Sequence, residues 1–396
     1  MRKKLSIITT IAFLLIFPTG PVKAEYEILT GSYRVHDPVM ARQGDTYYVF
    51  YTGNQTPFRI STDMKHWQFG GYVWPAGPPA WTWAEVPDFD GNIWAPDISY
   101  FNGKYHLYYS ISSFGRNHSC IGLATNTTLD TCEPDYQWID SGGPVIRSFS
   151  GYNYNAIDPA LFIDRQGSET TYWLSFGSFW TGIKLTQIDP NTGYPICDPP
   201  VLYSIATRIS PPNAIEAPFI IFRNGYYYLF VSFDYCCRGI YSTYNVRYGR
   251  AECVTGPYFD RSGVSMTSCG GTQLTWPDDR WKGPAHQAVF QDNDGTDWLI
   301  HHAYDTENNG RSYLRIHRLY WTPDGWPSLT EPNCTDVHNL GFGLDADWTA
   351  DCYVDFHDLA LLANSWLKDF DLEDLVILAD QWLLCNNPTD PNCTAN

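Results

Sequence analysis

The chain has 396 residues, with 25 basic side chains against 43 acidic ones, and its net charge of -18 repels phosphate backbones and anionic bilayers, which excludes nucleic acid and membrane surfaces as natural partners. Hydrophobic residues make up 44% of it, enough for one large buried core and a smaller unit beside it. Aromatic residues reach 16%, with 16 Trp and 28 Tyr; such rings favour strands, and a ring that keeps a polar tip wet also offers a stacking face to a sugar.

At the start, the cationic Met1-Arg2-Lys3-Lys4 leads into the apolar run from Leu5 to Phe17, and Val22-Lys23-Ala24 offers a small-residue cleavage site. This predicts a signal peptide over residues 1–24 and a secreted protein; the apolar run is too short for the roughly 20 residues of a spanning helix. Export permits disulfides, but eleven cysteines is an odd number with no zinc-site spacing, so one thiol is expected to be left over. The adjacent Cys236 and Cys237 either bridge each other or pair elsewhere.

One unit then recurs five times: a polar or aromatic residue, often beside Pro, an apolar strand, a turn Gly and an aromatic-rich strand. The copies begin at His36-Asp37-Pro38-Val39, Trp94-Ala95-Pro96-Asp97, Ile157-Asp158-Pro159-Ala160, Ile215-Glu216-Ala217-Pro218 and Pro284-Ala285-His286-Gln287. Their second strands run Tyr47 to Tyr51, Tyr105 to Tyr109, Tyr172 to Phe176, Tyr226 to Val231 and Trp298 to His302. Starts roughly 60 to 70 residues apart leave room for four short strands per unit, and helical periodicity is sparse before residue 340. The spacing predicts an all-β, five-bladed β-propeller over residues 25–340, with a β-sandwich as the alternative, because blades around an axis protect strand edges that one long open sheet would expose.

In a propeller the first strand of each blade is innermost, so the five starts surround the channel. Counting back from Gly103, Gly167, Gly225 and Gly295, the ninth residue is Trp94, Asp158, Glu216 and His286, while Asp37 stands seven before Gly44. Odd offsets put all five side chains on one face under period-two alternation and send Asp97 to the other, unless a bulge shifts the parity. Three carboxylates, an imidazole and an indole therefore converge. Glycosidic hydrolysis needs one protonated carboxyl to serve the leaving oxygen and one ionised carboxylate, and a neighbouring negative charge raises the acid's pKa. With no Ser-His or Cys-His arrangement, acetal hydrolysis is favoured over acyl transfer.

Across roughly residues 30 to 332 the chain resembles the glycoside hydrolase family 43 arabinanases, through HDPV at His36, NIWAPDI at Asn92, AIDPALF at Ala156, FGSFWTGIKL at Phe176, AIEAPFI at Ala214, FDYCCRG at Phe233, TGPY at Thr255 and HHAYD at His301. The FGSFW and CCRG segments resemble endo-acting members in particular. The resemblance implies inverting cleavage of α-1,5-linked arabinan, with Asp37 as general base, Glu216 as general acid and Asp158 orienting Glu216 and raising its pKa. It implies that Trp94 and Phe114 stack on sugar rings, that His36 and Ser178 hydrogen-bond hydroxyls, and that His286 holds an axial calcium ion largely through water. Ala285 departs from the family pattern, which has Gly before this histidine. The competing readings are an exo-acting arabinofuranosidase or β-xylosidase on the same scaffold and a non-catalytic sugar-binding propeller; no organic cofactor is expected, and a monomer is.

Past residue 340 the sequence turns Leu-rich. Two 13-residue units, Asp355 to Leu367 and Asp371 to Leu383, repeat sixteen positions apart, and Leu359, Leu362, Ala363 and Trp366 fall on one helical face. Asp347, Thr349, Asp351, Tyr353, Asp355 and Asp358 match positions 1, 3, 5, 7, 9 and 12 of a calcium loop, with Cys352 in place of the usual Gly. Residues 341–396 thus resemble a degenerate dockerin-like module, which implies calcium and a cohesin-like or cell-surface partner; a small helical cap is the alternative.

Overall fold

A computed structural model describes residues 26–332, 344–349, 352–365, 370, 372–382 and 384–385. The expected signal peptide, Trp366 and Asp351 lie outside these. The propeller is present as five sheets. Their innermost strands are Val39–Gln43, Asn92–Phe101, Ala160–Asp164, Ile215–Arg223 and Trp281–Gln291. Each continues outward through antiparallel neighbours, which in the fourth blade are Tyr226–Phe233, Asn245–Ala251 and Thr272–Gln273.

The second strand of each blade explains the aromatic content, because both of its faces are buried. In Thr46–Phe50, Tyr48 and Phe50 pack with Ile93 and Leu107 of the second blade, whereas Tyr47 and Val49 pack with Ile300 and Ile316 of the fifth. In Tyr226–Phe233 the same alternation sends Tyr227, Leu229 and Val231 against the third blade and Tyr228 and Phe230 against the fifth. A period of two is still at work, but it sorts apolar groups between two neighbours instead of between core and water. The core is thus a ring of five clusters, one at each blade junction. Leu229 is fully buried in one of them, so Leu229→Ala should cost about 2–5 kcal/mol.

Closure of the ring falls to the N-terminal segment. Glu27 donates its N–H to Ile316 O at 3.1 Å, Leu314 donates to Tyr33 O at 2.9 Å, and between them Thr30–Gly31 pairs in parallel with His66–Tyr72 of the first blade. One stretch of chain therefore holds the first and fifth blades together.

Among the described residues, two helices follow the propeller, Phe356–Asn364 and Leu372–Asp380. Asp355 and Asp358 form a capping box at the first, and Leu378 joins Ala346 and Val354 in a small separate cluster. No helix among the described residues is long and apolar enough to cross a membrane. Cys236 and Cys237 bridge each other. The expectation of one leftover thiol is corrected: Cys120, Cys132, Cys197, Cys253 and Cys269 are all free, Cys120 inside the core and the other four exposed.

Candidate active site

A depression of about 1100 Å³ opens where the inner strands begin, and all five blades line it. Its walls bring together Asp37, Asp158, Glu216 and His286 with Trp94, Phe114, His36 and Ser178. Phe114 stands at 81% exposure, a ring face open to a ligand.

Each blade starts with the same backbone move. Asp37, Ala95, Asp158, Ala217 and His286 all have positive φ, between 42° and 57°, a region that costs a non-glycine residue roughly 1–2 kcal/mol. What holds them there is a circle of hydrogen bonds in which the preceding blade catches the N–H of the strained residue. Thr52 Oγ1 accepts from Ala95 at 2.8 Å, Ser110 Oγ from Asp158 at 3.0 Å, Asp158 Oδ2 from Ala217 at 3.1 Å, Ser232 Oγ from His286 at 2.9 Å, and His302 Nδ1 from Asp37 at 3.1 Å. Every otherwise orphaned donor is satisfied by a side chain from next door.

The last of these bonds fixes a chain of protons. His302 Nδ1 accepts, so its Nε2 carries the hydrogen and faces the Tyr304 hydroxyl at 3.3 Å, which also accepts the Cys237 N–H at 2.7 Å. Tyr304 in turn donates to His36 Nε2 at 3.0 Å, leaving His36 Nδ1 to donate to Asp37 Oδ2 at 2.9 Å. Thr52 adds a second donor to the same oxygen at 2.6 Å, and His286 Nδ1 lies 3.0 Å from Asp37 Oδ1. Burial would raise the Asp37 carboxyl, but the charges and hydrogen bonds of His286 and His36 outweigh it and hold the group well below the usual carboxylate range. Reciprocally, burial would lower His286, and Asp37, Asp158 and Glu216 push it up to about 9.

Glu216 lies in a different field. Burial raises its carboxyl, and the Ser178 hydroxyl, donating to Oε2 at 2.7 Å, opposes this only in part. Tyr244, whose buried hydroxyl lies beside it, also favours the ionised form of Glu216. Asp158 is pushed up to about 8 by burial and by the charges of Glu216 and Asp37, against the pull of His286. Within a single depression, one carboxyl is therefore pushed towards its ionised form and the other two towards their protonated forms.

Strict alternation does not hold at the blade starts. The register shifts between Trp94 and Asp97, between Glu216 and Phe219, and twice between Lys282 and Ala288. The five side chains converge because each start turns at a strained residue, three of the five being bulged around it, and the odd offsets from the turn glycines do not explain it. Asp97 lines the small axial cavity and not the depression; its Oδ2 accepts the Leu161 N–H at 2.9 Å, tying the second blade to the third. His36 and Ser178, expected to meet sugar hydroxyls, spend the hydrogen bonds above on Tyr304, Asp37 and Glu216. Thr52, Ser110, Ser232, Tyr244, His302 and Tyr304 were not singled out from the sequence; the HHAYD segment held the only signal, for the last two.

For a cation, His286 reaches both the depression and the axial cavity, which has about 20 Å³, room for one water-sized particle. The three carboxylates that raise His286 create a field favouring positive charge there, and a single imidazole suits a hard cation only if water completes its shell. Ala285 packs fully buried between the fourth and fifth blades, so its methyl group is accommodated. Among the described residues, His36, Asp37 and His302 also gather three potential ligand atoms within 4.8 Å, but the network above already uses them. In the tail, Asp347 Oδ2 accepts the Cys352 N–H at 2.8 Å, and Asp358 accepts from Thr349 and Asp355 at 3.0 Å each. Thr349 donates its hydroxyl to Asp347 Oδ1 at 3.4 Å, and Tyr353 bridges in antiparallel fashion to Cys385.

Comparison with known proteins gives a match to the model of the glycosyl hydrolases family 43 over residues 27–327. The extracellular endo-α-(1→5)-L-arabinanase 1 of Bacillus subtilis is 47% identical over 298 residues, 74% of this chain and 87% of that protein. The extracellular exo-α-(1→5)-L-arabinofuranosidase ArbA of Cellvibrio japonicus is 42% identical over 309 residues, 75% of this chain and 86% of that one. Among solved structures, a family 43 endo-arabinanase from Bacillus licheniformis superposes with a TM-score of 0.70 at 48% identity, covering 76% of this chain and 99% of its own.

Proposed function

The chain belongs to glycosyl hydrolase family 43, and from that premise we propose that it is a secreted, inverting endo-1,5-α-L-arabinanase acting on arabinan and its oligosaccharides. The observation that carries this is the opposed ionisation of Asp37 and Glu216 across one depression. Asp37, held towards its ionised form by His286 and His36, takes a proton from a water molecule; the water oxygen bonds to the anomeric carbon from the face opposite the leaving sugar. As the bond from that carbon to the leaving oxygen breaks, Glu216 gives that oxygen its proton. Asp158 acts through Glu216: it holds the peptide on which the acid is carried, by the Ala217 N–H, and its proximity resists loss of the acid's proton. His36 and Ser178 position the base and the acid, while Trp94 and Phe114 offer stacking faces to the furanose rings. His286 would hold a hydrated calcium ion, which would supply positive charge beside Asp37.

Incubation with linear arabinan, with chain lengths followed by chromatography and anomers by NMR, tests the assignment. Short oligomers of inverted configuration are expected. The Cellvibrio relative supports a second reading, cleavage from chain ends, and release of arabinose or one fixed short product from the outset would favour it. The names of both curated relatives support export, and the cationic, apolar first 24 residues would direct it. For the tail, the paired helices and the inward-turned Asp347 and Asp358 support a calcium-binding, dockerin-like module over residues 341–396 with a cohesin-like partner; loss of helical signal at the tail on chelation would be its signature.

A further inference from the structure

A second basin of about 620 Å³ adjoins the depression, and Trp180 and Pro212 line both. In a chain carrying 43 acidic residues, this basin is lined by Lys184 and Arg208 and, among the described residues, by no Asp or Glu. Lys184 is 96% buried at 4% exposure, yet no carboxylate among the described residues pairs with it. Its ammonium donates to Thr181 O at 3.1 Å and to Ser204 Oγ at 2.8 Å, which leaves the third of its three N–H donors uncommitted. Burial with no carboxylate beside it lowers the lysine from its ordinary range, and an anion bound at the third donor would favour the charged form. Arg208 pairs with Asp234 at 2.5 Å through one nitrogen only, so the rest of its planar fork remains available.

The wall between the two cavities is held in shape. Phe179 and Trp180 both have positive φ, and Asn213 donates to Trp180 O at 2.5 Å while its own Oδ1 accepts from Arg208 N at 2.5 Å. Trp180 keeps 37% of its surface exposed, a ring on which a sugar can lie on its way from one cavity to the other. We propose that this basin is an anion-accepting subsite for a carboxylated sugar, a uronic acid unit carried on or near the polymer cut in the adjoining depression, with Lys184 and Arg208 on the carboxylate and Trp180 under the ring. This extends the reading of the depression as a polysaccharide groove and rests on it.

Titration calorimetry with trigalacturonate, with neutral galactotriose as its control, tests the subsite on the full chain, and linear arabinan hydrolysis is assayed in the same samples. The uronate is expected to bind and the neutral trimer not, with binding weakened by added salt. Lys184→Met should lose about ten-fold or more in affinity. Because a buried lysine can matter for folding, Ile209→Glu provides a second variant: Ile209 lies at the rim with 71% exposure, and a carboxylate there should repel the uronate where Ile209→Gln does not. Equal binding of both trimers, no binding, or binding of the uronate untouched by Lys184→Met and Ile209→Glu overturns the proposal, as does displacement of the uronate by inorganic sulfate at equal concentration. Absence of arabinan cleavage alongside intact uronate binding would overturn the reading of the depression instead.

Discussion

The first, third and fifth blades differ from the second and fourth in where they carry chemistry on a shared backbone feature. In the odd blades the functional side chain sits on the strained residue itself, Asp37, Asp158 or His286. In the even blades alanine takes the strain, and the functional side chain is one residue earlier, on Trp94 and Glu216, which pair across the sheet with Ser110 and Ser232. The base is therefore aimed by a turn and by His302 of the neighbouring blade, the acid by the sheet ladder and by Ser178. Asp37 and Asp158 share one position in the repeat and are still pushed in opposite directions, so it is the charges facing each carboxyl, and not the position alone, that separate them.

The largest effect should come from the ladder position. Glu216→Gln is expected to lower kcat on linear arabinan by about 1,000-fold while leaving melting temperature unchanged or raised, since a neutral isostere replaces a buried acid. Full activity in this variant would break the distinction between the two kinds of blade. Asp158 combines both jobs, and two substitutions separate them. Asp158→Asn keeps an acceptor for the Ala217 N–H and should lose about 100-fold in kcat without loss of stability; Asp158→Ala should lose similar activity and in addition about 1–2 kcal/mol in denaturant unfolding. Ser232→Ala removes one link of the circle, on the strand that pairs with the acid, and should cost about 1 kcal/mol of stability.

The smallest expected effect is a pH shift. The Ser178 hydroxyl favours the ionised form of Glu216, so Ser178→Ala raises the acid's pKa, and the basic limb of kcat/KM should move to higher pH. A shift to lower pH would mean that the limb reports a different group.

Much of this architecture could be read along the chain, because a blade is a local object. A turn glycine and an aromatic strand recur at each start, and burial on both faces enforces that composition five times. Asp37, Asp158 and Glu216 stood out for the same reason, as acids at equivalent points of a repeat. Counting by twos placed them on one face, but three of the starts are bulged, and a bulge leaves no mark in a composition. Thr52, Ser110 and Ser232 were invisible in another way: each acts on the next blade around the ring, and a lone Ser or Thr at a strand end looks like many others.

What the sequence determined by itself is the set of pieces: five repeats, a Leu-rich duplicated tail, and acids at the blade starts, all consequences of short-range pattern. What only the tertiary structure decided is the ionisation of those acids. That depends on burial and on charges supplied by other blades, as His286 of the neighbouring fifth blade does for Asp37, and such contacts exist only once the ring has closed.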